Sequence, residues 1–231
     1  MNETIRKRKS IRKYDMTALD AATLEKVHEK IAGVTPLYHE IQYSIEIVSK
    51  TKGIFGIKSP HYLIFCSEEK DGAYENIGFI GQQMDLFFAE SGLGSCWLGM
   101  AKPDEKETGA LPFIISMAFG KPAEPLHRDP ADFKRKPLSE ISEGNDVRLE
   151  AARFAPSGMN AQGWYFIADN GFIHCYRKKP RALLGFMTDK LSCIDIGIAL
   201  CHIAEESETF NFEKEENAPV RKGYVYMGTV K

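Results

Sequence analysis

Arg8, Ser10 and Arg12 alternate within the segment Arg8-Lys9-Ser10-Ile11-Arg12-Lys13-Tyr14. In an extended chain, residues i, i+2 and i+4 point to one face. Two guanidinium groups with a hydroxyl between them suit a terminal phosphate dianion, because each fork can donate paired hydrogen bonds. The competing reading of the same residues is a solvated basic tail. A second polar run, Ala155-Pro156-Ser157-Gly158-Met159-Asn160-Ala161-Gln162-Gly163-Trp164, lies far downstream. Its Ser157 and Asn160 are short polar groups able to reach the edge of a planar heterocycle, and they are equally ordinary turn formers. A third piece, Gly92-Leu93-Gly94-Ser95-Cys96-Trp97-Leu98-Gly99, is weak as a phosphate loop because its glycines lack G-x-G-x-x-G spacing. A fourth, Phe133-Lys134-Arg135-Lys136-Pro137-Leu138-Ser139-Glu140-Ile141, reads either as an anion-closing basic segment or as a charged linker.

The elements that must position these residues follow from periodicity. Residues 19–34 form an amphipathic helix with Asp20 as N-cap and Leu24, Val27 and Ile31 at helical spacing. Residues 43–48 and 61–66 read as strands. Residues 74–91 form a long helix that is apolar almost all round and therefore central to the core, stopped by Gly92-Leu93-Gly94. Residues 113–119 read as a buried strand. The proline-rich stretch 121–136 is the best linker. After it come a helix over 145–155 stopped by Pro156 and a hairpin over 164–168 and 172–176, turned by Asn170-Gly171 in a type I′ turn. A last apolar helix over 191–207 and a strand over 223–230 follow. Each side of the linker thus shows helix, strand, strand, long apolar helix, strand, which is an internal repeat. An offset of 120 places Pro36 on Pro156 and Gln42 on Gln162, while Glu90-Ser91 falls on Glu206-Ser207 with an offset of 116.

Composition narrows the class. The 231 residues are 43% hydrophobic and 27% charged with a formal charge of −2, so no global field favours nucleic acid or an anionic membrane. The most apolar stretch contains Gln82, Gln83, Asp85 and Glu90, which argues against a membrane span. The N-terminus shows no secretory pattern, and Cys66, Cys96, Cys175, Cys193 and Cys201 read as reduced, mostly buried thiols. The expectation is a cytoplasmic protein. The six histidines lack metal-ligand spacing, so no metal site is expected.

Taken together, the four segments resemble the FMN-dependent nitroreductase family. The resemblance implies an α+β fold of mostly antiparallel sheets flanked by helices, with two related halves in one chain. It also implies FMN bound by Arg8, Lys9, Ser10 and Arg12 around the phosphate and ribityl chain, and by Pro156, Ser157, Met159 and Asn160 as the opposite wall. Trp97, Leu98 and Gly99 are implied as neighbours of the ring, and Lys134 and Arg135 as a closure over the phosphate. Gly163 stands where the family usually has proline. By the same resemblance, NADH or NADPH supplies electrons, a nitroaromatic, quinone or similar small molecule receives them, and the flavin carries the chemistry without a catalytic side chain.

Ordinary members of that family are homodimers whose FMN sites take the Arg-x-Ser-x-Arg segment from one subunit and the Pro-Ser-x-x-Asn segment from the other. Here residues 1–141 resemble a nearly complete first half and 142–231 a second, shortened one, packed as one unit. The first half has Pro36-Leu37-x-x-Glu40 in place of Pro-Ser-x-x-Asn. The second has Arg128, Pro130 and Asp132 where the first has Arg8, Ser10 and Arg12. The retained walls are complementary, so one working site per chain is expected, in a monomeric pseudo-dimer or a homodimer. The alternatives are a flavin-binding protein without turnover, a related flavin reaction on the same scaffold, and an interaction module whose basic N-terminus binds anions.

Overall fold

A computed structural model describes residues 1–53, 57–103, 110–179 and 185–231. A short helix α1 (Glu3–Lys7) precedes an extended run that begins at Arg8. Helix α2 (Ala21–Ala32) starts where expected, with Asp20 Oδ1 accepting from Thr23 N at 2.8 Å. Strands β1 (Tyr43–Val48), β2 (His61–Ser67), β3 (Gly94–Leu98) and β4 (Phe113–Gly120) form an antiparallel sheet in the order β1-β2-β4-β3. Between β2 and β3 runs α3 (Ala73–Glu90), buried along most of its length. After α4 (Leu138–Ile141) come β5 (Ser142–Glu143), α5 (Arg148–Phe154), β6 (Trp164–Asp169) and β7 (Phe172–Lys178). Helix α6 (Gly185–Ala204), β8 (Phe212–Glu213) and β9 (Tyr224–Val230) complete a second sheet ordered β5-β6-β7-β9-β8. Its ladders are antiparallel except β5–β6.

Alternation explains how the first sheet is covered on both faces. Leu63 and Phe65 of β2 join the main core with α3, whereas Tyr62, Ile64 and Cys66 join a smaller core with Ile11 and Tyr14 of the N-terminal run. The main core is centred on α3 and α6, which cross so closely that two glycines are required. A Cβ on Gly78 would lie 2.2 Å from the Ile194 carbonyl oxygen, and one on Gly197 would lie 2.0 Å from that of Glu75.

Four features differ from the sequence expectation. The segment after α3 is a strand, β3, paired along β4; a short buried apolar run carries no period by which to recognise it. Helix α6 begins at Gly185 rather than 191, because the polar run Thr188-Asp189-Lys190 interrupts the apolar period. Helix α5 begins at Arg148, where Asp146 Oδ1 accepts from Arg148 N at 2.9 Å and caps the turn. The stretch 121–136 is not a free connector. It pairs with the N-terminal run, with Asp15 N donating to Lys121 O, Ala123 N to Lys13 O and Arg128 N to Lys7 O. The hairpin is as read, with Asn170 and Gly171 both at positive φ. Among the described residues, no helix is long and apolar enough to cross a membrane.

Candidate cofactor site

The pairing of the N-terminal run with residues 121–128 gathers cations. Arg8 is almost completely buried and its Nε lies 2.9 Å from Asp85 Oδ2. Its Nη2 reaches Ser10 Oγ at 3.4 Å, whereas its Nη1 has no hydrogen-bond partner among the described residues. Arg12 is exposed, with its backbone N–H held by Glu124 Oε1 at 2.6 Å. Arg128 packs over the Phe133 ring, 3.7 Å from guanidinium carbon to centroid. Burial, then the charges of Arg8 and Arg12, push Arg128 down to about 10. Arg135 is pushed down to about 9 by burial and then by Arg8, Arg128 and Arg153. Nε of Arg128 and Nε of Arg135 also lack hydrogen-bond partners among the described residues. Guanidinium groups keep their charge in proteins, so this is a repulsive cluster with unused donors, and a multiply charged anion would relieve it.

Behind the cluster, the polar groups of α3 are satisfied in a chain that reaches the second half. Asp85 Oδ1 accepts from Ser95 Oγ at 2.5 Å, and its Oδ2 accepts from Gln82 Nε2 at 2.9 Å. Gln82 Oε1 accepts from Trp97 Nε1 at 3.3 Å, and Gln82 Nε2 lies 3.0 Å from His202 Nε2. His202 Nδ1 lies 2.9 Å from Ala151 O. Nδ1 therefore carries the proton and Nε2 accepts from Gln82. Burial pushes His202 down to about 3, so the ring is neutral.

The second wall meets the basic segment at Arg135. Its Nη1 donates to Asn160 Oδ1, and its Nη2 donates to Phe154 O at 3.2 Å. Asn160 Nδ2 donates to Lys134 O at 2.8 Å, so both polar ends of Asn160 are committed to the basic segment. Lys134 itself contributes this carbonyl while its side chain is exposed. Gln162 Oε1 accepts from Lys136 N at 2.8 Å, and Ser157 Oγ accepts from Gln162 N at 2.9 Å, leaving the serine proton to donate outward. Met159, Asn160 and Gln162 all have φ near +50°, an uncommon conformation for residues with a Cβ. Pro156 is buried at the start of this loop, and Met159 is fully exposed at its tip.

One buried carboxyl anchors the loop. Asp195 Oδ1 on α6 accepts from Gly158 N at 2.9 Å. Burial raises Asp195 to about 7, with the Gly158 bond acting in the opposite direction. Its uncharged form therefore stabilises the fold in acid, and that contribution is lost as pH rises from the unfolded value through 7. The cost is about 4 kcal/mol, at 1.36 kcal/mol per unit. Asp195→Asn keeps the acceptor without the charge. Its stability advantage over the parent in urea melts should grow by up to about 4 kcal/mol between pH 4 and 8.5. His202 loses stability in the other direction, below its unfolded value, but it is common to both proteins and cancels. A constant difference across that range would refute the assignment.

Of the expected site residues, Arg8 and Ser10 are in contact, with Lys9 and Arg12 beside them in chain; Arg135, Asn160 and Ser157 form a second contact group, which Arg8 reaches through its charge on Arg135. The third piece is split by strand alternation. Trp97 lies over Gly81 of α3 and stacks on Phe65 with centroids 5.7 Å apart, while Leu98 faces the smaller core. Gly99, at the strand's end, is exposed and faces Leu191 of α6, one turn before Asp195. Arg128, Asp85, Gln162 and Asp195 were not among the expected site residues. An Asp within the apolar run Cys193-Ile194-Asp195-Ile196 is a signal that could have found the last of them.

The comparisons agree on the fold. A solved structure described as a putative nitroreductase from Thermotoga maritima aligns with a TM-score of 0.68 at 20% identity, covering 100% of this chain and 92% of that one. A nitroreductase family protein from Clostridium difficile aligns with a TM-score of 0.51 at 21% identity, covering 64% of this chain and 100% of that one. No curated protein matches. The α+β architecture of antiparallel sheets and helices is therefore nitroreductase-like. The family model described as "Putative TM nitroreductase" matches residues 1–207, and the chain belongs to that nitroreductase family.

Proposed function

We propose that the chain is an FMN-dependent oxidoreductase that passes electrons from NADH or NADPH to nitroaromatics, quinones or similar acceptors. The observation that carries this reading is the cluster of Arg8, Arg128 and Arg135, whose unpartnered donors fit a phosphate monoester. Arg8, Arg12, Arg128, Arg135 and the Ser10 hydroxyl would hold the phosphate. Ser157 and the backbone of the Gly158–Gln162 loop would meet the ring on one side, and the Gly99 end of β3 would approach it near Leu191. Bound FMN supplies reversible hydride and electron chemistry. The protein's share is to bind, to orient and to set the local charge. Asp85 fixes the Arg8 fork, and Arg135 fixes Asn160 and hence the loop.

We also propose that residues 1–141 and 142–231 are two copies of one unit fused into a pseudo-dimer with one FMN per chain. Reciprocal contacts support it: Gly78 meets Ile194 as Gly197 meets Glu75, and one separation in sequence relates both pairs. Self-complementary pairing of this kind is the mark of a two-fold interface. By the same separation Asn76 corresponds to Asp195. Asn76 Oδ1 accepts from Leu37 N at 2.7 Å and Tyr38 N at 3.0 Å, as Asp195 accepts from Gly158 N. The bulge between Phe65 and Cys66 of β2 likewise matches that between Cys175 and Tyr176 of β7.

The test is an absorbance spectrum of purified protein with FMN stoichiometry, followed by anaerobic NADH or NADPH addition. One FMN per chain and bleaching by a nicotinamide are expected; two tightly bound FMN would sink the one-site reading. Yellow protein that no nicotinamide reduces would instead favour a flavin binder without turnover. Arg12→Ala should weaken FMN binding roughly tenfold, the value of one charge-assisted bond. Leu37→Ala should leave FMN binding unchanged. Equal losses would argue against the asymmetric assignment.

A further inference from the structure

We propose that Asp195 is a proton-linked positioning residue: its buried carboxyl holds the Ser157–Gln162 wall in the binding arrangement only while uncharged, so that FMN binding takes up a proton there. The inference rests on the FMN reading above. The wall needs an anchor, because three of its residues, Met159, Asn160 and Gln162, sit at positive φ. Such conformations persist only where surrounding contacts impose them. On the α6 side the anchor is the 2.9 Å bond from Gly158 N to Asp195 Oδ1.

Among the described residues, no charged group compensates Asp195 when it ionises. Among the charged and titratable groups of the packed elements are Glu75 and Asp85 on α3, Arg148, Glu150 and Arg153 on α5, Tyr176 and Arg177 on β7, and Asp189, Cys193 and His202 on its own helix. Arg135 lies beyond, on Asn160. None of them moves it: burial raises the Asp195 carboxyl, and the Gly158 N–H bond opposes that only in part. A buried carboxylate with one hydrogen bond must gain water or revert to the acid. Gly158, Met159 and Asn160 are exposed, so the loop can lift to admit that water. A ring seated against the loop would exclude it. The corresponding residue of the other half is Asn76, which holds its loop with an amide that cannot ionise.

The experiment is FMN titration of the apo protein by flavin fluorescence from about pH 6 to 8.5, for the parent and for Asp195→Asn. Ionisation of the FMN phosphate is common to both proteins and cancels in the ratio of their dissociation constants. That ratio should shift against the parent by at least about threefold as pH rises, with proton uptake on binding seen only in the parent. Asp195→Leu, which loses the acceptor, should bind more weakly at every pH without the added pH slope. Parallel profiles for parent and Asp195→Asn would overturn the proposal while leaving the cofactor assignment intact. Failure of both proteins to bind FMN at any pH would overturn the cofactor assignment and the proposal with it.

Discussion

Arg8→Ala is expected to abolish FMN retention and to cost about 3–5 kcal/mol of stability, the range for breaking a buried ion pair by removing one partner. Both effects come from one side chain with two tasks. Towards the core, its Nε neutralises Asp85, which lies between Ser95 and Gln82 in a fully enclosed network. Without Arg8, that carboxylate keeps two hydrogen bonds and loses its only ion-pair partner among the described residues. Towards the site, Nη1 is left with a donor to give. Arg128→Ala separates the two tasks. Arg128 has no ion pair among those described and is pushed down by burial and then by its cationic neighbours. Its loss should therefore lower FMN affinity while leaving stability unchanged or raised. Urea melts of the apo proteins and flavin titrations of each variant check both statements. An Arg8→Ala protein within about 1 kcal/mol of the parent, or one that binds FMN within a few-fold, would remove Arg8 from the centre of the site.

The fold was legible wherever the sequence carries a period or a strong turn. The helix from Ala73 to Glu90 is apolar on nearly every face, and the Asn170-Gly171 turn fixes its hairpin within a residue. Strand β3 was hidden because five residues between a glycine turn and a loop show no alternation that a buried segment would need. For the site, the spacing Arg8-x-Ser10-x-Arg12 pointed to an anion but not to how the fork is aimed. Arg8 turns inward onto a carboxylate 77 residues away while Arg12 stays outside. That difference is tertiary. It depends on α3 presenting Asp85 behind the N-terminal run. The same holds for Arg128, which looked like the remnant of a lost second site. Antiparallel pairing of residues 7–15 with 121–128 brings it beside Arg8 and Arg12 instead. Asn160 was expected to face the cofactor with its amide, yet its two polar ends are spent on Arg135 and Lys134. These bonds hold the basic segment against the loop.

Gly197→Ala is expected to destabilise the protein by about 3 kcal/mol, the upper part of the range for overpacking. The added methyl would sit 2.0 Å from the Glu75 carbonyl oxygen and 2.8 Å from Phe79 N. Both obstacles are backbone in the N-terminal half of α3, so no side-chain rotation can make room and the two helices must separate. Alanine's better helix propensity returns only about 1 kcal/mol. Gly78→Ala should cost about the same, since its methyl would meet the Ile194 carbonyl at 2.2 Å. The two glycines lie on one crossing, so a single displacement of α6 from α3 accommodates both methyls. The double variant should therefore cost clearly less than the sum of the two, by about 1 kcal/mol or more. Gly163→Ala, with nothing within 4 Å of its would-be Cβ, serves as the neutral control. Thermal melts suffice, since 3 kcal/mol corresponds to a fall of roughly 6–12 °C for a chain of this size. Additive losses from Gly78 and Gly197 would mean that the two contacts yield independently. In that case the crossing is not the single reciprocal interface on which the two-copy reading depends.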